Sequence, residues 1–358
     1  MQSLYREIEQ QSGNLEGEQV GTVYFGGGTP SILTVHELTE ILERLHTHFL
    51  IDRNAEITLE ANPDDLNLIY LKELRQTGFN RLSMGIQSFS DKDLKAMNRR
   101  HNSVQAIQSV YEAVEADFND ISIDLIYGLP GLTMKQWERN LKRAVSLPVN
   151  HISAYHLTYH EGTKFYDWLK IGQLHELPED DSLAQFEILM DITQKAGYEQ
   201  YEISNFARDK AYSKHNSSYW NGSKYLGLGP SAHSYDGISR QWNMASLEKY
   251  LKAIAVGEPP YEREELTPIN KLNDYLITRL RTRWGISLNY ISENFGEVYV
   301  NKILNSAQSF IHSGHLQHTN DNISLTRKGI MISDEILLAL VVENKRLQMM
   351  APMNSVGL

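Results

Sequence analysis

Between residues 20 and 200, short apolar runs typical of strands alternate with longer stretches whose apolar side chains recur at helical spacing. Leu38, Ile41 and Leu42, for example, would share one face of a helix. Each predicted strand is followed by a predicted helix, and such repeats are typical of parallel strands joined by helical crossovers. This pattern leaves open a doubly wound sheet and a barrel. The strands are predicted at residues 20–25, 55–61, 81–87, 121–127 and 151–158.

Capping residues predict where several of the helices begin. Thr34–Glu37 and Thr133–Gln136 have the spacing of a capping box, in which two side chains satisfy backbone N–H groups at a helix start. Ser90 is expected to cap a short helix. Longer helices are predicted at residues 103–116 and 180–197.

The composition changes after residues 256–268, which we interpret as a linker. Predicted helices from Ile269 onward lead to two short β segments around a polar turn within residues 315–326. This order is typical of a winged-helix domain, usually a small packing or interaction module. The predicted domains are a barrel-like region (1–200), an extension (201–258), a winged-helix-like domain (267–345) and a tail (346–358).

Three arginines in the predicted C-terminal domain raise the question of nucleic-acid binding. Arg279, Arg281 and Arg283 are two residues apart, so they alternate around a helix and are typical of a solvated face. The net charge of -11 also disfavours the basic surface that phosphate binding requires. We therefore expect no nucleic-acid partner.

The absence of cysteine restricts the chemistry of the sequence. The 358 residues supply no disulfide, thiol nucleophile, zinc–thiolate site or cysteine-held iron–sulfur cluster. No apolar stretch approaches the roughly 18 residues of a membrane span, and residues 1–19 lack a hydrophobic signal core. The default expectation is a soluble, cytoplasmic protein.

Three glycines interrupt the chain directly after the first predicted strand. They form either a tight turn or a nest whose backbone N–H groups bind an anionic or polar ligand, and the sequence leaves both open. Glu60, Gln87 and Asp124 lie at or near the carboxyl ends of three later strands, the edge where α/β folds bind ligands. Each alone could be a turn residue or a buried acid, but their common edge favours a ligand site.

Six motifs together resemble a known family over most of the chain, from about residue 18 to the predicted winged-helix domain. The family comprises the radical S-adenosylmethionine (SAM) enzymes grouped with oxygen-independent coproporphyrinogen III oxidase. Within that group the chain is most similar to the HemW haem chaperones. The motifs are GGGTPS, LEANPDDL, RLSMGIQSF, IDLIYGLPG, HNSSYW and YLGLGPSAHSY.

The resemblance implies an α/β fold, a partial (β/α)6 barrel that holds SAM at the carboxyl edge of its strands, with a winged-helix-like domain at the C-terminal end. The glycine loop would contact the methionine amino group, and Arg99 would suit the methionine carboxylate as a bidentate partner. The implied SAM-binding residues are Gly26, Gly27, Gly28, Thr29, Pro30, Glu60, Gln87, Arg99 and Asp124.

Radical SAM chemistry also needs a [4Fe–4S] cluster. In the family this cluster is held by a Cys-x3-Cys-x2-Cys loop that follows the first barrel strand and precedes the glycine motif. The sequence contains neither that strand nor any cysteine, so we expect that an N-terminal segment is missing from it rather than lost from the natural protein. These residues alone would not assemble the cluster or run radical chemistry.

Haem delivery is the first function that the resemblance implies. HNSSYW matches the HNxxYW motif of the chaperone branch, whose members would bind haem and transfer it to acceptors such as respiratory haem enzymes. Neutral imidazole is a good axial ligand of haem iron, so His215 is the predicted metal ligand, with Tyr219 and Trp220 covering the macrocycle. His215 could instead hydrogen-bond within a packed loop. The alternative iron ligands are His156, His160 and His233.

Oxidative decarboxylation of coproporphyrinogen III is the second function. We rank it lower because the cluster ligands are lacking and HNSSYW belongs to the chaperone branch, and we assign no catalytic residue. A scaffold without a ligand would leave the shared polar edge unexplained. Arg240 and Asn243 are expected to anchor the Gly227–Tyr235 loop. The predicted partners are haem and haem-acceptor proteins, while peripheral membrane contact and the choice between monomer and dimer stay open.

Overall fold

A seven-stranded sheet forms the first part of the molecule. The computed structural model describes residues 1–15 and 17–342, and all statements on structure refer to these residues. The strand order in the sheet is β1-β2-β3-β4-β5-β7-β6. The strands are β1 (Gln19–Phe25), β2 (Leu50–Ala61), β3 (Arg81–Gln87), β4 (Asp120–Tyr127), β5 (His151–His156), β6 (Tyr198–Glu202) and β7 (Asn205–Arg208).

The order of the first five strands decides between the two predicted architectures. Each strand lies beside its predecessor in the chain, and β2 to β5 pair in parallel, with Leu59 beside Leu82 and Ile123 beside Ile152. A doubly wound sheet would reverse direction at a switch point. No reversal occurs among these five strands, so the predicted α/β partial barrel is confirmed.

Helices connect the strands, and the starts of two helices confirm predicted caps, while the Thr34–Glu37 capping box stays a prediction. Thr133 and Gln136 form a capping box at α6, and the Ser90 hydroxyl accepts a hydrogen bond from Asp93 N–H at α4. Trp137 of α6 is fully buried and donates its indole N–H to the Gln185 carbonyl oxygen at 2.8 Å, which joins α6 to α8. The helices up to this point are α1 (Gln2–Gln10), α2 (Val35–His48), α3 (Leu68–Gln76), α4 (Asp91–Ala96), α5 (Ser103–Glu115), α6 (Met134–Ser146), α7 (Lys164–Lys170) and α8 (Glu179–Lys195).

Strands β6, β7 and β10 (Tyr261–Glu265) lie where the sequence analysis predicted none. Residues 198–208 form the antiparallel pair β6 and β7, and β7 pairs antiparallel with β5. Residues 261–265 of the supposed linker form β10, which pairs antiparallel with β9 (Ser239–Asn243). Interpreting residues 256–268 wholly as a linker was therefore wrong, because a charged, exposed strand such as YEREE is stabilised by its neighbour's backbone rather than by an apolar face.

The C-terminal part contains helices around two three-stranded antiparallel sheets. One sheet, in the order β11-β13-β12, packs with α11, α12, α13 and α15 around an apolar cluster that includes Leu276, Ile291 and Ile303. The predicted tail, 346–358, and residues 343–345 of the predicted winged-helix-like domain lie outside the described residues. The elements are α9 (Lys214–Asn221), β8 (His233–Tyr235), β9 (Ser239–Asn243), α10 (Leu247–Val256), β10 (Tyr261–Glu265), α11 (Pro268–Leu280), β11 (Ile286–Ser287), α12 (Leu288–Phe295), α13 (Glu297–His312), β12 (Leu316–Thr319), β13 (Asn322–Leu325), α14 (Arg327–Ile330) and α15 (Ser333–Leu340).

The chain divides into two compact units. The described part of the first, here called the sheet unit, comprises residues 23–35 and 56–213. The described part of the second, the C-terminal unit, comprises residues 1–22, 36–55 and 214–342. In neither unit does a described helix combine the length and apolar character that crossing a bilayer requires.

Candidate functional site

The glycine loop of the sheet unit is held by a carboxylate on the neighbouring strand. Glu60 accepts hydrogen bonds from the Tyr24 hydroxyl at 2.6 Å and from the Gly27 N–H at 3.1 Å. A Cβ on Gly26 would lie 2.4 Å from the Tyr24 ring and 2.8 Å from Glu60 Oε1, so the loop needs glycine there. Burial raises the pKa of Glu60, and these two donors oppose that rise. Glu60 therefore stabilises the conformation of the glycine loop as well as lying beside it.

Gln87 ends β3 in a strained conformation beside Arg99. Its φ is +64°, a region that residues other than glycine seldom adopt, and it is 3% exposed. Its amide oxygen Oε1 is buried with no hydrogen-bond partner among the described residues. Arg99 donates to Asn62 Oδ1 at 2.7 Å and to the Gly85 carbonyl oxygen at 3.1 Å. Buried strain and an unsatisfied acceptor favour a ligand site at this strand end.

Asp124 lies in the same polar layer of the sheet. Its carboxylate accepts a weak hydrogen bond from the Ser83 hydroxyl at 3.4 Å, and Ser83 lies opposite Glu60 in the β2–β3 register. Asp124 is 4% exposed, and its burial, together with the Glu60 charge, raises its pKa to about 7. The structure thus brings Glu60 and Asp124 into one layer, and it places Gln87 and Arg99 together around Gly85.

The raised pKa of Asp124 predicts a pH dependence of stability. The folded state keeps a proton on this carboxyl up to about pH 7, whereas the unfolded chain loses it near 3.8. The free energy of unfolding should therefore fall as pH rises from about 4 through 7, by at most about 4 kcal/mol. Asp124→Asn should flatten this slope in denaturant titrations at several pH values. Exposed Glu115→Gln is the control, and an unchanged slope in Asp124→Asn would contradict the assignment.

The HNSSYW motif forms most of α9 in the C-terminal unit, which places His215 and Tyr219 one turn apart. His215 Nδ1 lies 3.1 Å from the Thr22 hydroxyl oxygen, and Nε2 lies 3.0 Å from the Tyr219 hydroxyl oxygen. Burial lowers the pKa of His215 to about 4, so its ring is neutral at pH 7. Trp220 lies 5.7 Å from the Arg281 guanidinium on the C-terminal side of α11, and its buried Nε1 has no hydrogen-bond partner among the described residues.

The other candidate histidines have exposed side chains. His156 Nε2 lies 3.1 Å from Ser182 Oγ, and His160 Nε2 lies 2.9 Å from Thr158 Oγ1, both in the sheet unit. His233 is exposed on β8 of the C-terminal unit. Of the four histidines proposed as iron ligands, His215 is the one whose ring is largely enclosed by protein.

Of the two residues expected to anchor the Gly227–Tyr235 loop, the side chain of Asn243 bonds the loop and that of Arg240 bonds another element. Asn243 donates to the Gly229 carbonyl oxygen at 2.8 Å, which fixes the loop as expected. Arg240 instead forms an ion pair with Asp274 of α11. The sequence analysis missed a further anchor of this loop, Glu7, whose fully buried carboxylate accepts the Gly229 N–H at 2.7 Å.

No residue set among those described could hold the implied iron–sulfur cluster. The sequence has no cysteine, and the described residues contain no group of three or more His, Asp or Glu side chains arranged for a metal ion. The polar edge of the sheet unit is suited to SAM's polar groups, because a buried amide acceptor and a glycine loop that a Cβ would fill both lie there.

Comparisons with known proteins match two regions of the sequence to described families. The sequence profile of the Radical SAM superfamily matches residues 4–144, and that of the HemN C-terminal domain matches residues 266–332. The haem chaperone HemW of Bacillus subtilis is 33% identical over 90% of this chain and 86% of its own length. HemW of Lactococcus lactis is 32% identical over 94% and 87%, respectively. The coproporphyrinogen III oxidase HemN of Escherichia coli, described as a radical SAM enzyme, shares the fold at a TM-score of 0.82 and 22% identity, over 95% of this chain and 82% of that one.

Proposed function

We propose, from the premise that the chain belongs to the family of HemW haem chaperones on a radical SAM scaffold, that it binds haem and transfers it to acceptor haem proteins. The family predicted from the sequence motifs is confirmed by relatives that cover most of the chain. A cytoplasmic location, peripheral membrane contact and the oligomeric state stay predictions.

The environment of His215 is the observation that carries the haem proposal. A histidine that binds haem iron must be neutral and offer a lone pair, and ligating histidines usually have their second nitrogen fixed by a hydrogen bond. The His215 ring is neutral at pH 7, and Thr22 and Tyr219 hydroxyls contact its two nitrogens. The Tyr219 ring lies next to it, with ring centroids 5.0 Å apart, and Trp220 follows Tyr219 on α9. Such aromatic surface suits a flat macrocycle.

Coproporphyrinogen decarboxylation is the weaker candidate. It would require the iron–sulfur cluster, for which this chain supplies no thiolate ligand. The oxidase HemN shares the fold at 22% identity, whereas the HemW haem chaperones of Bacillus subtilis, Mycobacterium tuberculosis and Lactococcus lactis are 31–33% identical over nine tenths or more of the chain. The relatives therefore favour the chaperone.

A haemin titration followed by Soret absorbance tests haem binding. The expected result is a shifted band that saturates at one haemin per chain. Iron-free protoporphyrin IX is the control, and it should bind more weakly because it cannot accept the imidazole lone pair. Absence of saturation would contradict the proposal, and equal binding of both porphyrins would show that no iron ligand contributes.

SAM binding at the polar edge of the sheet unit is a further proposal. When bound in this family together with its cluster, SAM is the source of a radical, but here the residues would only bind and orient it. Gln87 Oε1 would accept from a polar group of SAM, Arg99 would contact its carboxylate, and the Gly26–Pro30 loop would receive the amino group. The whole set is the one assigned from the motifs, and its role stays a prediction.

Calorimetry should detect weak SAM binding, with a Kd no tighter than about 100 μM, because hydrogen bonds act here without chelation by iron. Gly26→Ala should remove it, since the added Cβ would displace Tyr24 or Glu60. Gly21→Ala is the matched control, because a Cβ there meets nothing within 4 Å. Tight stoichiometric binding would contradict the expectation, and so would equal binding by the two variants.

A further inference from the structure

Two hydroxyl groups from different elements each contact one ring nitrogen of His215. Thr22 reaches Nδ1 from β1, at an oxygen–nitrogen distance of 3.1 Å, and Tyr219 reaches Nε2 from the next turn of α9, at 3.0 Å. The Thr22 and His215 positions are 193 residues apart in the sequence, and both belong to the C-terminal unit. A neutral imidazole carries one N–H and one lone pair, so one hydroxyl must donate to the ring and the other must accept from it.

The acidity of the two hydroxyls decides which one donates. The phenol of tyrosine has a pKa near 10 and is a stronger hydrogen-bond donor than the aliphatic hydroxyl of threonine, which is the better acceptor. The favoured arrangement has the Tyr219 O–H donating to Nε2 and the Nδ1–H donating to Thr22 Oγ1. It leaves the ring lone pair at Nε2, on the side of the Tyr219 hydroxyl.

We infer that Thr22 is a positioning residue that sets the His215 tautomer, and that the Tyr219 hydroxyl holds the Nε2 lone pair until haem iron replaces it. This inference rests on the proposed haem binding. When haem binds, the Tyr219 O–H···Nε2 hydrogen bond breaks and an Nε2–iron coordinate bond forms. No proton moves on the ring, because Nδ1 keeps its hydrogen and its bond to Thr22. Release of haem restores the Tyr219 contact.

The two hydroxyls therefore have opposite effects on haem affinity. Tyr219→Phe removes the group that competes with iron, so haemin should bind about 5-fold more tightly, the equivalent of one ordinary hydrogen bond. Thr22→Val keeps the shape and the strand preference but removes the acceptor for Nδ1–H, so haemin should bind about 10-fold more weakly. Thr22→Ser restores an acceptor and should bind as the unaltered chain does.

Nitrogen NMR of the haem-free chain at pH 8, with ¹⁵N-labelled histidine, tests the inference independently of haem. An unperturbed imidazole is neutral at this pH, and the two ring nitrogens have distinct shifts when one is protonated. We expect His215 to carry its proton on Nδ1 in the unaltered chain and in Thr22→Ser, and to shift toward Nε2–H in Thr22→Val. Protonation on Nε2 in the unaltered chain would overturn the inference.

Haemin titrations of the same variants and of His215→Ala separate the two proposals. Loss of binding in His215→Ala, weaker binding in Thr22→Val and tighter binding in Tyr219→Phe would support both. Loss in His215→Ala with unchanged affinity in the other two variants would overturn the inference and leave the proposed function standing. Unchanged affinity in His215→Ala would overturn His215 as the ligand and the inference with it. Thermal unfolding of each variant confirms that the fold is retained.

Discussion

Replacing His215 by alanine is expected to lower haem affinity at least about 100-fold and to remove the shifted Soret band. The reason is that His215 alone among the candidate ligands combines a largely enclosed ring with two hydrogen-bonded nitrogens. Removing the imidazole leaves Tyr219 and Trp220, which offer aromatic contact but no nitrogen donor to iron. Haemin that stacked on these rings in His215→Ala would bind weakly, and its absorbance spectrum would be that of haemin in an apolar environment without an imidazole ligand.

His233→Ala is the matched control for this substitution. His233 belongs to the same unit, has the same imidazole and is exposed on β8, so its removal should leave haem affinity within about 2-fold of the unaltered chain. Retained binding in His215→Ala would contradict the assignment. The Soret spectra of His156→Ala and His160→Ala would then identify which of the sheet-unit histidines holds the iron.

Replacing Glu7 by leucine is expected to destabilise the C-terminal unit by about 3–5 kcal/mol. Glu7 is 0% exposed, and its carboxylate accepts hydrogen bonds from Gly229 N–H at 2.7 Å, Asn243 Nδ2 at 2.5 Å and the Tyr250 hydroxyl at 2.6 Å. Leucine would leave three buried donors without their acceptor. Because these donors lie in the Gly227–Tyr235 loop, β9 and α10, one side chain joins α1 to three parts of the unit.

Differential scanning calorimetry measures this effect as a fall in Tm of about 10 °C. Glu9→Leu, two positions away on the same helix, is the control, since Glu9 is exposed and forms a surface ion pair with Arg44 at 3.6 Å. Such pairs contribute about 0–1 kcal/mol, so its Tm should change little. Equal Tm values for the two variants would show that the Glu7 carboxylate has no special role in the fold.

Local chemistry made much of the fold predictable from the sequence. β3 was predicted with its observed bounds, Arg81–Gln87, because Leu82, Met84 and Ile86 recur at every second position, the period of a strand. The α6 capping box and the Ser90 cap depend on residues three positions apart, which the sequence shows directly. β6, β7 and β10 were missed because each is only four or five residues long and is defined by antiparallel pairing with another strand, which a local sequence pattern does not show.

The sequence predicted site residues only where they lie at the ends of predicted strands. Glu60, Gln87 and Asp124 could be grouped because the carboxyl ends of parallel strands meet at one edge. Tyr24 and Thr22 could not be assigned to a site from the sequence. Alternate residues of a strand look like ordinary core or surface positions until their partners are known. Glu7 belongs to the N-terminal segment that the sequence analysis described only as lacking a hydrophobic signal core, and its burial depends on α10 and β9, more than 230 residues away.

Transfer of haem from the loaded chain to an acceptor tests the central claim most directly. Stopped-flow absorbance would follow haem as it moves to the haem-free subunit of a haem b respiratory enzyme. Apomyoglobin in parallel captures released haem and reports the rate of passive dissociation. We predict that transfer to the respiratory subunit accelerates with its concentration and exceeds the passive rate. Transfer at the passive rate, whatever the acceptor concentration, would contradict delivery by this chain.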